Sequence, residues 1–135
     1  MAEHPTPPRI AVIDDDAVFL DLMQDLLGLG EGYEVITSSD WLDSFSFLKH
    51  VEPDLVILDL MMGREQSGWA ILELLHEDEA TRDIPVIVCS AAAPALDQHA
   101  DRLRRGLVSA MAKPFDVDAL LEEIERMLAT RHAPA

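Results

Sequence analysis

A chain of 135 residues has the length of one ordinary domain, able to bury a single core, and a second folded unit is not expected. Its 26 acidic and 10 basic residues give a formal charge of −16, so the average surface repels a nucleic-acid backbone and direct DNA or RNA binding is not expected. The start Met1-Ala2-Glu3-His4-Pro5 lacks the positive and apolar regions of a secretory signal, and no apolar run approaches the ~18 residues of a membrane span, so a cytoplasmic protein without membrane insertion is expected.

After a Pro-rich leader, Arg9-Ile10-Ala11-Val12-Ile13 is an apolar run stopped by Asp14-Asp15-Asp16, the pattern of a buried strand ending in acid. Asp16, taken alone, reads as a helix cap. Phe19, Leu22, Met23, Leu26 and Leu27 then recur at helical spacing, and Gly28 and Gly30 are expected to close that helix. Tyr33–Thr37 gives a second strand, and Ser38-Ser39-Asp40 offers caps for a helix holding Trp41, Leu42, Phe45 and Leu48. Leu55-Val56-Ile57-Leu58 is a third strand, ending in Asp59, and a Gly-containing loop leads to the helical pattern Trp69, Leu72, Leu75. Val86-Ile87-Val88-Cys89 is a fourth strand, in which the single cysteine reads as a small buried hydrophobe rather than a thiolate ligand. The helix after it carries Leu96, Ala100 and Leu103. Leu107–Ala112 is a fifth strand, followed by Lys113-Pro114-Phe115 and an amphipathic helix with Val117, Leu120, Leu121, Ile124, Met127 and Leu128 on one face.

Five strand-helix pairs with apolar, non-alternating strands imply a parallel sheet covered by helices on both faces, with right-handed crossovers. Residues 9–130 are expected to form this domain, 1–8 a disordered leader and 131–135 a flexible tail. In such sheets ligands gather at the carboxyl ends of the strands. Those ends deliver Asp14 and Asp15, Asp59, Ser90 and Lys113 to one place. Three carboxylates in one pocket repel one another, and a hard divalent cation such as Mg²⁺ relieves the repulsion through oxygen ligands. With a metal, an ammonium and a hydroxyl to neutralise phosphoryl oxygens, the remaining carboxylate can attack phosphorus to give an acyl phosphate.

The runs Val12-Ile13-Asp14-Asp15-Asp16, Asp54–Met62, Ile84–Ala91 and Lys113-Pro114-Phe115, in that order and spacing, resemble the response-regulator receiver family of two-component signalling over roughly residues 8–130. The resemblance implies a flavodoxin-like (βα)5 three-layer sandwich with a five-stranded parallel sheet of order 2-1-3-4-5. By the same resemblance Asp59 is the phosphoacceptor, and the Mg²⁺ site consists of Asp15 as a direct ligand, Asp14 acting directly or through water, Asp59 and the backbone carbonyl of Met61. Ser90 and Lys113 bind the phosphoryl group, and the small Ala91 leaves the attacking path open. The implied partners are a histidine kinase or histidine phosphotransfer protein and a downstream protein. The implied activity is signalling, with the chain catalysing only its own phosphorylation and dephosphorylation.

The sequence departs from the family pattern at three points. Gly63 replaces a usual proline, the stretch from Asp59 to Gly68 is one residue longer than usual, and Ala110 stands where an aromatic normally moves with the hydroxyl residue. These departures favour an alternative, a phosphorylation-independent interaction module on the same fold; the intact acid, hydroxyl and lysine set argues against it. An aspartate-nucleophile phosphatase would carry a second acid where Met61 stands, and a flavin phosphate would be repelled by Asp14-Asp15-Asp16. The histidines at 4, 50, 76, 99 and 132 are scattered, Trp41 and Trp69 fit apolar helix faces, and Arg102, Arg104 and Arg105 read as a solvated helix face.

Overall fold

The central strands alternate their side chains between two buried layers, which is why their sequences show no polar face. In β1 (Arg9–Ile13), Ile10, Ala11, Val12 and Ile13 are all buried; Ala11 and Ile13 face one layer and Ile10 and Val12 the other. The computed structural model describes residues 7–39, 43–60, 67–90, 108–113 and 116–131, without the side chains of Ser67, Ser90, Thr130 and Arg131. Its further strands are β2 (Glu34–Ser38), β3 (Leu55–Asp59), β4 (Val86–Ser90) and β5 (Val108–Ala112). All pair in parallel in the order β2-β1-β3-β4-β5, as the resemblance implies.

The helices are α1 (Ala17–Met23), α2 (Ser44–Val51), α3 (Ser67–Glu77) and α4 (Val117–Arg131). On one face Leu48 of α2 and Trp69, Leu72 and Leu75 of α3 pack on Ala11, Ile13, Val56, Leu58, Val86 and Val88. On the other, Leu20 and Met23 of α1 and Leu120, Ile124 and Met127 of α4 pack on Ile10, Val12, Leu55, Ile57, Ile87 and Cys89. The sheet lies between the two, giving three layers with the strand ends free to carry polar groups. No helix among the described residues is long and apolar enough to cross a membrane.

Three local expectations change. Beyond Met23 the first helix widens into a π-type segment, Gln24–Gly30, which ends at Gly30 as expected but runs through Gly28, and the glycine in the left-handed region is Gly32, at φ +79°. The second helix starts at Ser44 with Asp43 before it, while Ser38 belongs to β2; residues 40–42, Trp41 and Leu42 among them, lie outside the described residues. Leu22 and Val117 are 52% and 40% exposed, so they sit at the edges of the apolar faces assigned to them. The expected helix with Leu96, Ala100, Leu103 and the three arginines falls within 91–107, outside the described residues.

The turn from α3 to β4 is fastened by a buried hydroxyl. Thr81, 1% exposed, donates its Oγ1 proton to the Leu75 carbonyl at 2.7 Å. Thr81→Val keeps the shape but orphans that buried carbonyl, so a loss of about 1–2 kcal/mol is expected in urea unfolding. Thr81→Ser, which keeps the donor, should lose less.

Candidate functional site

The carboxyl ends of β1 and β3 lie side by side because those strands pair in register, Ile13 opposite Leu58. The residues that follow, Asp14 and Asp59, are therefore neighbours although they are far apart in sequence. Asp14 is 1% exposed and Asp59 8%. The Asp14 backbone N–H donates to Ser38 O at 3.1 Å, and its Oδ1 accepts from the Asp16 N–H at 2.9 Å. Asp16 in turn caps α1, its side chain accepting from the Val18 N–H at 3.0 Å, so the cap reading holds. Asp15, between them, is exposed. One carboxylate oxygen from each of Asp14, Asp15 and Asp59 lies within 4.8 Å of the others.

Lys113, just after β5, reaches into this cluster. Its Nζ donates to Asp14 Oδ2 at 2.5 Å and stands 3.8 Å from Asp59 Oδ2. Burial works against the ammonium, but the hydrogen bond to Asp14 and the charges of Asp14 and Asp59 outweigh it, so its pKa is raised above the usual lysine value. The net effect is a firmly cationic group whose nearer partner is Asp14, not Asp59. The ring of Phe19 on α1 lies against the same ammonium, 4.2 Å from centroid to Nζ.

Other expected site residues are only partly placed. Ser90 ends β4, its backbone opposite Ala112, while its side chain, with Met61, Gly63 and Ala91, lies outside what is described. Ala110 is exposed on β5, opposite Val88. Two contributors escaped the sequence reading. Phe19 was read only as an apolar helix position. Gly68, in the first turn of α3, packs so closely on the end of β3 that a Cβ there would overlap the Asp59 carbonyl oxygen and Leu60 Cα. The available signal was a glycine in a helical first turn, where it is a poor helix former.

The thiol of Cys89 lies beneath the site, 1% exposed, and burial chiefly, with Asp14 and Asp59 adding and Lys113 opposing, pushes its pKa up to about 12. It should resist alkylation at pH 8–9 in the folded protein. A raised pKa contributes stability that is present below the unfolded-state value near 8.5 and is lost as pH rises toward 12. Unfolding free energy should therefore fall between pH 9 and 11 more steeply than in Cys89→Ala, by up to about 1.4 kcal/mol per pH unit.

The family model of the response regulator receiver domain matches residues 10–125. The chain belongs to this family. Receiver domains are signalling modules of two-component systems rather than enzymes acting on a separate substrate. Among curated relatives, the receiver is 34% identical over 124 residues to the DNA-binding dual master transcriptional regulator RpaA of Synechocystis sp., covering 90% of this chain and 49% of RpaA. The chain thus spans about half the length of that relative. It is 30% identical over 123 residues to the polar-differentiation response regulator DivK of Brucella anthropi, covering 90% of this chain and 97% of DivK. Among solved structures, a CheY-like response regulator receiver domain protein of Methanospirillum hungatei JF-1 superposes with a TM-score of 0.81 at 25% identity, covering 93% of this chain and 96% of that one. The receiver domain of a Pseudomonas aeruginosa sensor histidine kinase, which has a magnesium ion coordinated in its active-site cleft, shares the fold with a TM-score of 0.77 at 21% identity, covering 91% and 98%.

Proposed function

We propose that this receiver accepts a phosphoryl group on Asp59, assisted by Mg²⁺, and that the modification alters its interaction with a partner protein. The observation that carries the reading is the juxtaposition of three carboxylates within 4.8 Å of one another with an ammonium 2.5 Å from Asp14 and 3.8 Å from Asp59. The donor set fits the metal: hard carboxylate oxygens from Asp14, Asp15 and Asp59 suit Mg²⁺ better than any softer ion, and the family resemblance would add the Met61 carbonyl, which lies outside the described residues. When bound, the ion would neutralise charge on the carboxylates and on the incoming phosphoryl oxygens.

Asp59 is the nucleophile in this reading. One of its oxygens forms the new O–P bond as the N–P bond of a phosphohistidine breaks, and the imidazole leaves with the electron pair. Asp14, buried, with its own N–H on the Ser38 carbonyl and its Oδ1 accepting from the Asp16 N–H, stays fixed while this happens. Lys113 stands 3.8 Å from Asp59 and moves onto the phosphoryl oxygens, and Ser90 binds another of them. Dephosphorylation is attack of water on phosphorus, returning the carboxylate. The phosphoryl donor is a histidine kinase or histidine phosphotransfer protein, and output passes to a downstream protein, in the cytoplasm.

Intact mass and peptide mapping after incubation with acetyl phosphate test the reading directly. A Mg²⁺-dependent phosphoryl adduct on Asp59, lost with chelator and in Asp59→Ala, is expected. No adduct on folded, metal-binding protein would overturn it. That result would favour the second reading, an interaction module that works without phosphorylation, for which the exposed Ala110 on β5 speaks because it has no aromatic ring to couple to the site.

A further inference from the structure

Lysine carries its charge on a flexible four-carbon stem, so a lysine that must act at a defined point needs more than one contact to hold it. In this receiver the ammonium of Lys113 has, among the described residues, Asp14 at 2.5 Å, Asp59 at 3.8 Å and the ring of Phe19 at 4.2 Å from its centroid. The two carboxylates are acids of the site itself. The ring comes from α1, where Phe19 is half-buried and packs against the core layer that contains Leu20, Met23 and Leu120. Its position is tied to the acids through the helix start: Asp16 N–H donates to Asp14, Val18 N–H to the Asp16 side chain, and Leu20 N–H to Asp16 O.

We propose that Phe19 is a positioning residue for Lys113, its ring face holding the ammonium inside the acid pocket. An aromatic face attracts a cation through its quadrupole within about 6 Å, and the attraction strengthens as water is removed. A ring also differs from a carboxylate in a way that suits this site. It binds the ammonium without directing any one N–H, so the charge can pivot from Asp14 toward a group on Asp59 without leaving the ring. An aliphatic side chain at residue 19 would fill similar space but offer no such attraction. The contact itself stands on the geometry, whereas its effect on phosphoryl transfer rests on the function proposed above.

A double-mutant cycle separates the two. Wild type, Phe19→Leu, Lys113→Met and the double variant would be unfolded in urea with chelator present, and Phe19→Met would serve as a second ringless variant. The packing loss at residue 19 is common to both backgrounds and cancels. A coupling of about fivefold in the folding equilibrium constant is expected, the size of one partly desolvated cation–π contact. Additive effects would overturn the proposal. In the acetyl phosphate assay, Phe19→Tyr should modify Asp59 at close to the wild-type rate and Phe19→Leu about fivefold more slowly, with no further slowing once Lys113 is methionine. Equal rates for wild type and Phe19→Leu would overturn the positioning role. Should wild type form no adduct, the phosphoacceptor reading falls, and the coupling in the chelated protein still decides whether Phe19 holds Lys113.

Discussion

Gly68→Ala is expected to destabilise the domain by about 3 kcal/mol or more, although alanine is the better helix former by about 1 kcal/mol. Propensity and packing predict opposite signs here, so the measurement is decisive. The added methyl would overlap the Asp59 carbonyl oxygen and Leu60 Cα and lie 2.8 Å from Leu60 C. Backbone cannot rotate out of the way as the tip of a long side chain can. Relief requires α3 to lift from the end of β3, and that helix carries Trp69, Leu72 and Leu75 into the core. The same displacement would move Asp59, so residual folded protein should also react slowly with acetyl phosphate. Urea unfolding of Gly68→Ala beside Gly32→Ala makes the comparison, since Gly32 has nothing within 4 Å of its added methyl and suffers only from its φ of +79°. A stabilised Gly68→Ala would show that the helix yields freely at this point.

Lys113→Met is expected to move two properties of the site in opposite directions. Formation of the acyl phosphate should fall by about 10²-fold, because a preorganised cation is lost from the place where phosphoryl charge develops. Affinity for Mg²⁺ should rise about tenfold, because the ammonium that competes for Asp14 Oδ2 at 2.5 Å is gone. Without metal the variant leaves Asp14, 1% exposed, beside Asp59 with no ammonium between them, and a stability loss of about 2 kcal/mol follows. Saturating Mg²⁺ should restore most of it. Calorimetric metal titration and urea unfolding with and without Mg²⁺ check the set, and an unchanged metal affinity would show that lysine and metal do not compete.

The sheet was legible because burial on both faces removes polar residues from its strands, so Ile10–Ile13, Leu55–Leu58 and Val86–Cys89 stand out as uninterrupted apolar runs. The acids were legible because each interrupts such a run at the end where parallel sheets place their ligands. What escaped depends on groups meeting across the fold. Periodicity placed Phe19 on an apolar face without showing that a lysine would approach its ring. The same periodicity did not mark the wider turn at Gln24–Gly30, since a π-type segment so short displaces the apolar repeat by only about one residue. Gly68 carries no side chain to read, and its role comes entirely from the backbone opposite it. Spacing placed Lys113 at the site yet could not say that it would favour Asp14 over Asp59, a choice set by angstroms.

The separation between acids and ammonium along the chain bears on how the protein reaches its native state. Asp14 and Lys113 are 99 residues apart, with the acids supplied by the first and third strands and the cation only after the fifth. A partly assembled sheet that joins β1 to β3 without β5 gathers carboxylates at one point and has no Lys113 to oppose them. Such a form carries the electrostatic cost of the site before its compensation arrives, which keeps its population low. The last strand therefore brings relief of charge repulsion as well as apolar contact. Coupling the two makes assembly of the sheet more nearly all-or-none, so the site's charge arrangement also acts as a check that the chain has folded to its end.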